Sequence, residues 1–319
     1  MKIVRRSKKI FSFFLACLFC MAFLSCGESR KLSENVFARF TDDLGREVVL
    51  ENEPTRVAAL LGSFAEVWTL AGGALCASAE DGWSDFGLAL GDAVNIGGAH
   101  SPSTERLLAA DPELVLASAS TASHVAMGEI LEEMGIAVAY FDVDHVSDYL
   151  RMLRICTDLT GREDLYEKNG LEIQERIQSI KKQYAELGPS DGERTVLLLR
   201  TSSATVKAKG SQGTILGEML ADMGCINLAD RDGSLLDRLS VETAIKAEPT
   251  HIFIVTMGND TEGAYASLRQ MMADNPAWGS LRAVRENRVH VMDKELFNLK
   301  PNARWAEAYE VLYEALTKP

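Results

Sequence analysis

Two short segments carry the most suggestive chemistry in this chain, and they match each other. Ser103-Thr104-Glu105 is followed by Pro112, and Ser240-Val241-Glu242 by Pro249, so Ser, Glu and Pro all recur at one offset of 137 residues. A serine ahead of a helix can cap it. The glutamate two positions on then stands in the first turn, where the helix dipole favours negative charge and the side chain points to solvent. Each half of the chain therefore presents a fixed surface carboxylate. Arg200 closes an apolar run and offers a bidentate fork suited to anionic oxygens, though a solvated position at a strand end suits it equally. His100 and His124 are weak candidates to ligate a metal, and surface or capping roles fit them better. Bond-making chemistry is not expected: there is no GxSxG, Walker A, GxGxxG or HExxH pattern, and Ser63, Ser118 and Ser202 have no histidine in their own loops.

These residues must be positioned by α/β elements. Each repeated segment leads into an apolar stretch, Leu114–Ala117 in one half and His251–Val255 in the other, which reads as a helix feeding a buried strand. Arg56–Leu61 and Arg194–Leu199 are the expected first strands of the two halves. Phe40 through Leu50, turning at Asp43-Leu44-Gly45, reads as a hairpin. Ser63 with Glu66 three residues later has the spacing of a capping box for a helix running to Leu70. From about Val146 to Leu187 the pattern is helical, divided at Gly161. The part from Glu163, about 25 residues, would span roughly 37 Å at 1.5 Å per residue. A single helical connector predicts only modest bending between the halves.

The N-terminus has five basic residues and then an apolar run from Ile10 to Leu24, signal-peptide length and short for a membrane span. Cys17 and Cys20 form a CxxC pattern inside that run, so redox or metal chemistry is not expected of them. Phe23-Leu24-Ser25-Cys26-Gly27 resembles a bacterial lipobox, which implies diacylation of Cys26 and a two-chain anchor. Cys76, Cys156 and Cys225 match no metal spacing and read as small buried hydrophobes. The formal charge is −13, and loss of the five basic residues with the signal leaves −18. That excludes a nucleic-acid partner, which requires a basic face, and leaves the lipid anchor as the only membrane contact.

Asp42–Val48, Arg56–Leu60, Asn95-Ile96-Gly97-Gly98, the two Ser-x-Glu-x6-Pro segments, Asn275–Leu281 and Arg288–Val291 together resemble the periplasmic-binding-protein family of ABC importers for ferric siderophores, heme and cobalamin. The resemblance covers residues 40 to 316. It implies two Rossmann-like α/β lobes joined by a single long helix, with a ligand cleft between them. The expected organisation is a lipoprotein signal peptide over 1–25, a tether over 26–39, an N-terminal lobe over 40–162, a connecting helix over 163–188 and a C-terminal lobe over 193–319.

The resemblance further implies an extracytoplasmic, lipid-anchored monomer with no intrinsic cofactor. Such a protein would carry an iron(III) chelate to a permease dimer and its ATPase, with heme or cobalamin as alternatives and, from a different class, a bare divalent cation. Five histidines and no His-rich loop speak against that last option. Glu105 and Glu242 occupy the positions at which the family docks its permease. Ligands of open α/β sheets lie beyond the carboxyl ends of the strands. The cleft residues expected on that basis are Phe64, Trp83, His100, Ser120, Arg200, Asn259 and Phe297, with Trp83 stacking on the ligand.

Overall fold

The computed structural model describes residues 36–318 apart from 238 and 259. The expected signal peptide, Cys17, Cys20, the expected lipidation site Cys26 and the cleft candidate Asn259 therefore lie outside the described residues. Chain order begins with a hairpin, β1 (Ala38–Thr41) antiparallel to β2 (Glu47–Leu50). Its turn is held by the buried Asp42 carboxylate, which accepts from the backbone N–H groups of Leu44 at 3.1 Å and Arg46 at 2.9 Å. Gly45 supplies the left-handed residue the turn needs, with φ of 75°. Arg46 then reaches the first sheet, donating to Val138 O at 2.8 Å and lying 4.6 Å over the Tyr140 ring.

Two sheets follow. In the first, β3 (Val57–Ala59), β4 (Leu75–Ser78), β5 (Val94–Asn95), β6 (Leu114–Ser118) and β7 (Ala137–Phe141) lie parallel in the order β5-β4-β3-β6-β7. In the second, β8 (Thr195–Thr201), β10 (Ile226–Asn227), β11 (His251–Thr256) and β12 (Val289–Met292) lie parallel in the order β10-β8-β11-β12. A further strand, β9 (Val206–Lys209), folds back antiparallel on β8. With β5 and β9 set aside, both halves share the order second, first, third, fourth, as a duplicated unit should. The repeat extends to backbone conformation: Asp111 and Glu248, the residues just before Pro112 and Pro249, both adopt positive φ, 49° and 46°.

Every residue of β6 and β11 is buried, as expected of parallel strands covered on both faces. Alternate residues of each strand enter different clusters. Leu114 and Leu116 of β6 and Leu198 of β8 join one large cluster, while Val115 and Ala117 belong to the outer face of the first sheet and Leu197 and Leu199 to that of the second. The large cluster continues from Phe64 and Phe141 through Ile173, Ile177, Ile180 and Tyr184 to Phe253 and Leu312. The two sheets thus share a core.

Between the sheets the chain runs through the helix Val146–Thr160, reverses at Gly161 with φ of 67°, and continues as helix over residues 163–186. That second stretch widens to a π-helical turn at Glu167–Leu171. There Gly170 lies so close to Leu150, Leu153 and Tyr166 that an added Cβ would stand 3.3 Å from each. The helix Trp305–Thr317 packs alongside it.

Candidate functional site

A cleft of about 580 Å³ lies between the carboxyl ends of the strands of the two sheets. That volume is in the range of small-molecule sites. The first sheet contributes Ser118 at the end of β6 and the loops carrying Asp81, His100 and Ser120; the second contributes Arg200 of β8, Lys209 of β9, Met257 after β11, and Lys294 and Phe297 after β12.

Of the residues expected there from sequence, His100, Ser120, Arg200 and Phe297 line the cleft, as does Gly258 beside Asn259. Phe297 presents little surface to it, being 1% exposed. Phe64 does not reach the cleft at all. It is 1% exposed and meets Phe141 edge-on at 6.1 Å in the shared core. The cause is the helix start. Instead of a Ser63–Glu66 capping box, the helix begins at Gly62 with Leu61 at the cap position, and Asp81 Oδ2 accepts from the Gly62 N–H at 2.9 Å. That register turns residue 64 inward. Trp83 is likewise displaced: it is half-buried outside the cleft lining, and the aromatic of its segment that lines the cleft is Phe86, three residues on.

His124 is fully buried and cannot ligate a metal as it stands. Its Nδ1 accepts from Ser118 N at 3.1 Å, so Nε2 must carry the proton, which it donates to Ala99 O at 2.6 Å. Burial pushes its pKa down, in keeping with a neutral ring that ties the loop of residue 99 to β6. His100 is exposed at the cleft. Among the described residues no three His, Cys, Asp or Glu side chains converge to hold a metal ion.

Phe86, Lys209, Lys294 and Lys300 are among the lining residues that the sequence reading did not place in the cleft. Lys300 is the most constrained of them. Burial pushes its pKa down, its Nζ donates to Val143 O in the first lobe, and Asp144 Oδ1 lies 3.8 Å away. Nearby, Asn302 donates from Nδ2 to Ser63 O at 2.9 Å and to Glu66 Oε2 at 2.7 Å. The segment after the second sheet therefore straps back onto the first. Arg200 is half-buried, and burial lowers its pKa; that of Lys209 is lowered first by burial and then by Arg200 and Lys207.

The two repeated glutamates stand in separate lobes, both exposed, in the first turns of the helices Thr104–Ala109 and Val241–Ala247. Ser103 Oγ accepts from Arg106 N at 3.3 Å and Ser240 Oγ from Thr243 N at 3.2 Å, so both serines cap. Ser240 Oγ also donates to Glu242 Oε2 at 2.9 Å.

A family model described as periplasmic binding protein matches residues 48–296, well over half the chain. The chain belongs to the periplasmic-binding-protein family. This periplasmic binding protein resembles two curated Bacillus subtilis proteins. One is the iron-uptake system-binding protein, 22% identical over 60% of this chain and 58% of that protein. The other is named as the ABC transporter substrate-binding lipoprotein YhfQ, 21% identical over 67% and 66%. The matched stretches thus span about three fifths to two thirds of those relatives.

Among solved structures, the siderophore-binding protein BauB, bound to ferric iron and two acinetobactin molecules, superposes with a TM-score of 0.70 at 17% identity, over 88% of this chain and 99% of that one. Staphylococcus aureus SirA with staphyloferrin B gives 0.67 at 18%, over 88% and 98%. S. aureus IsdE with heme gives 0.66 at 15%, over 82% and 99%. At these identities the likeness establishes the fold alone, a mixed α/β architecture shared by all three. The family consists of solute-binding proteins rather than enzymes. Among the described residues, no helix of the chain is long and apolar enough to cross a membrane.

Proposed function

We propose that this chain is the extracytoplasmic, lipid-anchored binding subunit of an ABC importer, that it captures an iron(III) chelate between its lobes, and that it delivers the chelate to a permease. The observation that carries this reading is the cleft itself: both walls come from strand carboxyl ends, where open α/β sheets hold ligands, and its size suits a chelate. The printed functions of BauB, SirA and the iron-uptake relative point the same way. Ser120, His100, Arg200 and the edge of Phe297 are the ligand contacts, joined by Phe86, Lys209 and Lys300, with Asn259 a further candidate from its place beside Gly258.

Glu105 and Glu242 dock the two permease subunits, supported by their matched exposure on separate lobes. Cys26 carries the anchor, supported by the lipobox-like sequence and the lipoprotein name of YhfQ. The protein acts as a monomer with domain limits at 40–162, 163–188 and 193–319. Heme is a second reading, favoured by the exposed His100 imidazole at the cleft and by neighbours such as IsdE. Titration of the purified protein with ferric siderophores, hemin, cobalamin and Zn²⁺ tests these readings. Saturable binding by Zn²⁺ alone, with none by any chelate, would remove the proposal.

A further inference from the structure

The cleft wall built by β8 and β9 carries charge that the described residues leave unbalanced. Antiparallel register sets Arg200 directly across from Lys207 and Lys209 across from Leu198. Residues opposite one another share a face, and so do residues two apart on a strand, so Arg200, Lys207 and Lys209 all stand on one face of the hairpin. Like charges directly opposite are destabilising, and here three cations are set on two adjacent strands.

Most of the other described arginines pair with carboxylates, and the ones that do not, Arg106, Arg231, Arg269 and Arg285, are exposed to solvent, unlike the half-buried Arg200. Arg151 pairs with Asp43 and Asp148, and Arg304 with Glu295 and Glu307. The side chains of Arg200 and Lys209, both lining the cleft, make no hydrogen bond or ion pair with any described residue; the backbone of Lys209 accepts from Asn227 Nδ2 at 2.9 Å. The acidic residues across the cleft have other partners, although Asp81 is held through Oδ2 alone and its Oδ1 has none. Asp81 accepts from the Gly62 N–H, Asp85 from Ser84 Oγ at 3.3 Å, and Asp144 lies beside Lys300.

A half-buried guanidinium and a nearby ammonium, mutually repelling and unpaired, form a receptor for an anion that the protein itself does not supply. Arg200 contributes a planar fork and Lys209 a point charge, a combination that suits carboxylate oxygens. We propose that Arg200 and Lys209 receive peripheral carboxylates of the cargo, meaning carboxylates not spent on the metal, and that chelates lacking them are discriminated against. This rests on the chelate-binding reading above and narrows it. Two sources share the chemistry: the free carboxylates of a carboxylate-type ferric chelate and the propionates of heme.

The experiment is calorimetric titration of the full-length protein with ferric citrate, hemin, ferrichrome and cyanocobalamin, the last two having no free carboxylate. One of the first two is expected to bind, which identifies the source, and its affinity is expected to fall with rising salt. Arg200→Met and Lys209→Met should each weaken that binding by about 10- to 100-fold and flatten the salt dependence, with Arg200→Lys intermediate. Because each Met variant removes repulsion, the ligand-free protein should melt no lower than the parent. A merely structural pair would instead lose stability. Tighter binding of ferrichrome or cyanocobalamin than of either carboxylate-bearing compound overturns the proposal and leaves the chelate reading intact. Unchanged affinity in both Met variants does the same. Failure of all four to bind the parent protein overturns the chelate reading itself.

Discussion

Asn302 should be among the most expensive single residues to remove, and the reason can be worked from its contacts. It is 1% exposed, sits at φ of 49°, and its amide donates to Ser63 O and to the Glu66 carboxylate. Replacement by alanine loses a neutral hydrogen bond, about 0.5–1.5 kcal/mol, and one to a charged group, about 1.5–3 kcal/mol. It also forces a side chain without local hydrogen bonding into the left-handed region, about 1 kcal/mol. Since Glu66 is only partly buried, the lower half of the range applies, giving about 3 kcal/mol in all. Asn302→Gly should recover about 1 kcal/mol of this, since glycine accepts the positive φ.

A pH signature separates this account from simple cavity formation. Burial raises the Glu66 pKa, and the Asn302 hydrogen bond opposes that rise. Without Asn302 the folded-state pKa climbs further above the unfolded value, so the variant is penalised most at pH 7. Its deficit should shrink as pH falls toward the ordinary carboxylate range. Urea unfolding of parent, Asn302→Ala and Asn302→Gly at pH 7 and pH 5 reads all of this. A loss below 1 kcal/mol at pH 7, or a deficit that grows at pH 5, would refute the reasoning.

Other perturbations have equally definite outcomes. His251 Nδ1 lies 3.0 Å from His290 Nε2, and burial followed by the neighbouring His290 lowers the His251 pKa to about 4. A histidine with a depressed folded pKa favours folding above the unfolded value and loses that contribution as pH falls from about 6.5 to about 4. The unfolding free energy read from urea curves should therefore drop by up to about 3 kcal/mol across that window, and His251→Phe should flatten the drop. Gly62→Ala places a Cβ 2.5 Å from the Gly82 backbone nitrogen, so the loop of Asp81 must move. Chelate affinity should fall at least about 10-fold, as a loop shift breaks about one charge-assisted contact, and unchanged affinity would show the loop to be irrelevant. Glu105→Arg with Glu242→Arg should abolish uptake in cells while binding in solution is preserved, and normal uptake by the double variant would remove the docking assignment.

What could be read from sequence was whatever repeats or alternates. The matched Ser-x-Glu-x6-Pro segments mark equivalent helices down to the positive φ of Asp111 and Glu248, and the apolar runs mark β6 and β11. What escaped depends on register and long-range folding. Ser63 and Glu66 have the spacing of a cap, yet Asp81, a residue 19 positions away, caps that helix start from another loop and so sends Phe64 inward. No local signal chooses Phe86 over Trp83 for the cleft. Lys209 reads as one of two lysines in a short alternating run, and only the fold-back of β9 on β8 brings it beside Arg200. The widened turn at Glu167–Leu171 lies within an unbroken helical pattern. Gly170, buried where a side chain would crowd Leu150 and Leu153, was its one available hint.

The core common to both sheets bears on how the duplicated halves behave as material. Because Leu198 and Phe253 are buried in one continuous assembly with Phe64 and Phe141, neither half can be excised without baring the apolar surface it lends to the other. Heat or urea should accordingly melt the pair together as a single cooperative transition. A gene that began as two copies has thus become one thermodynamic object.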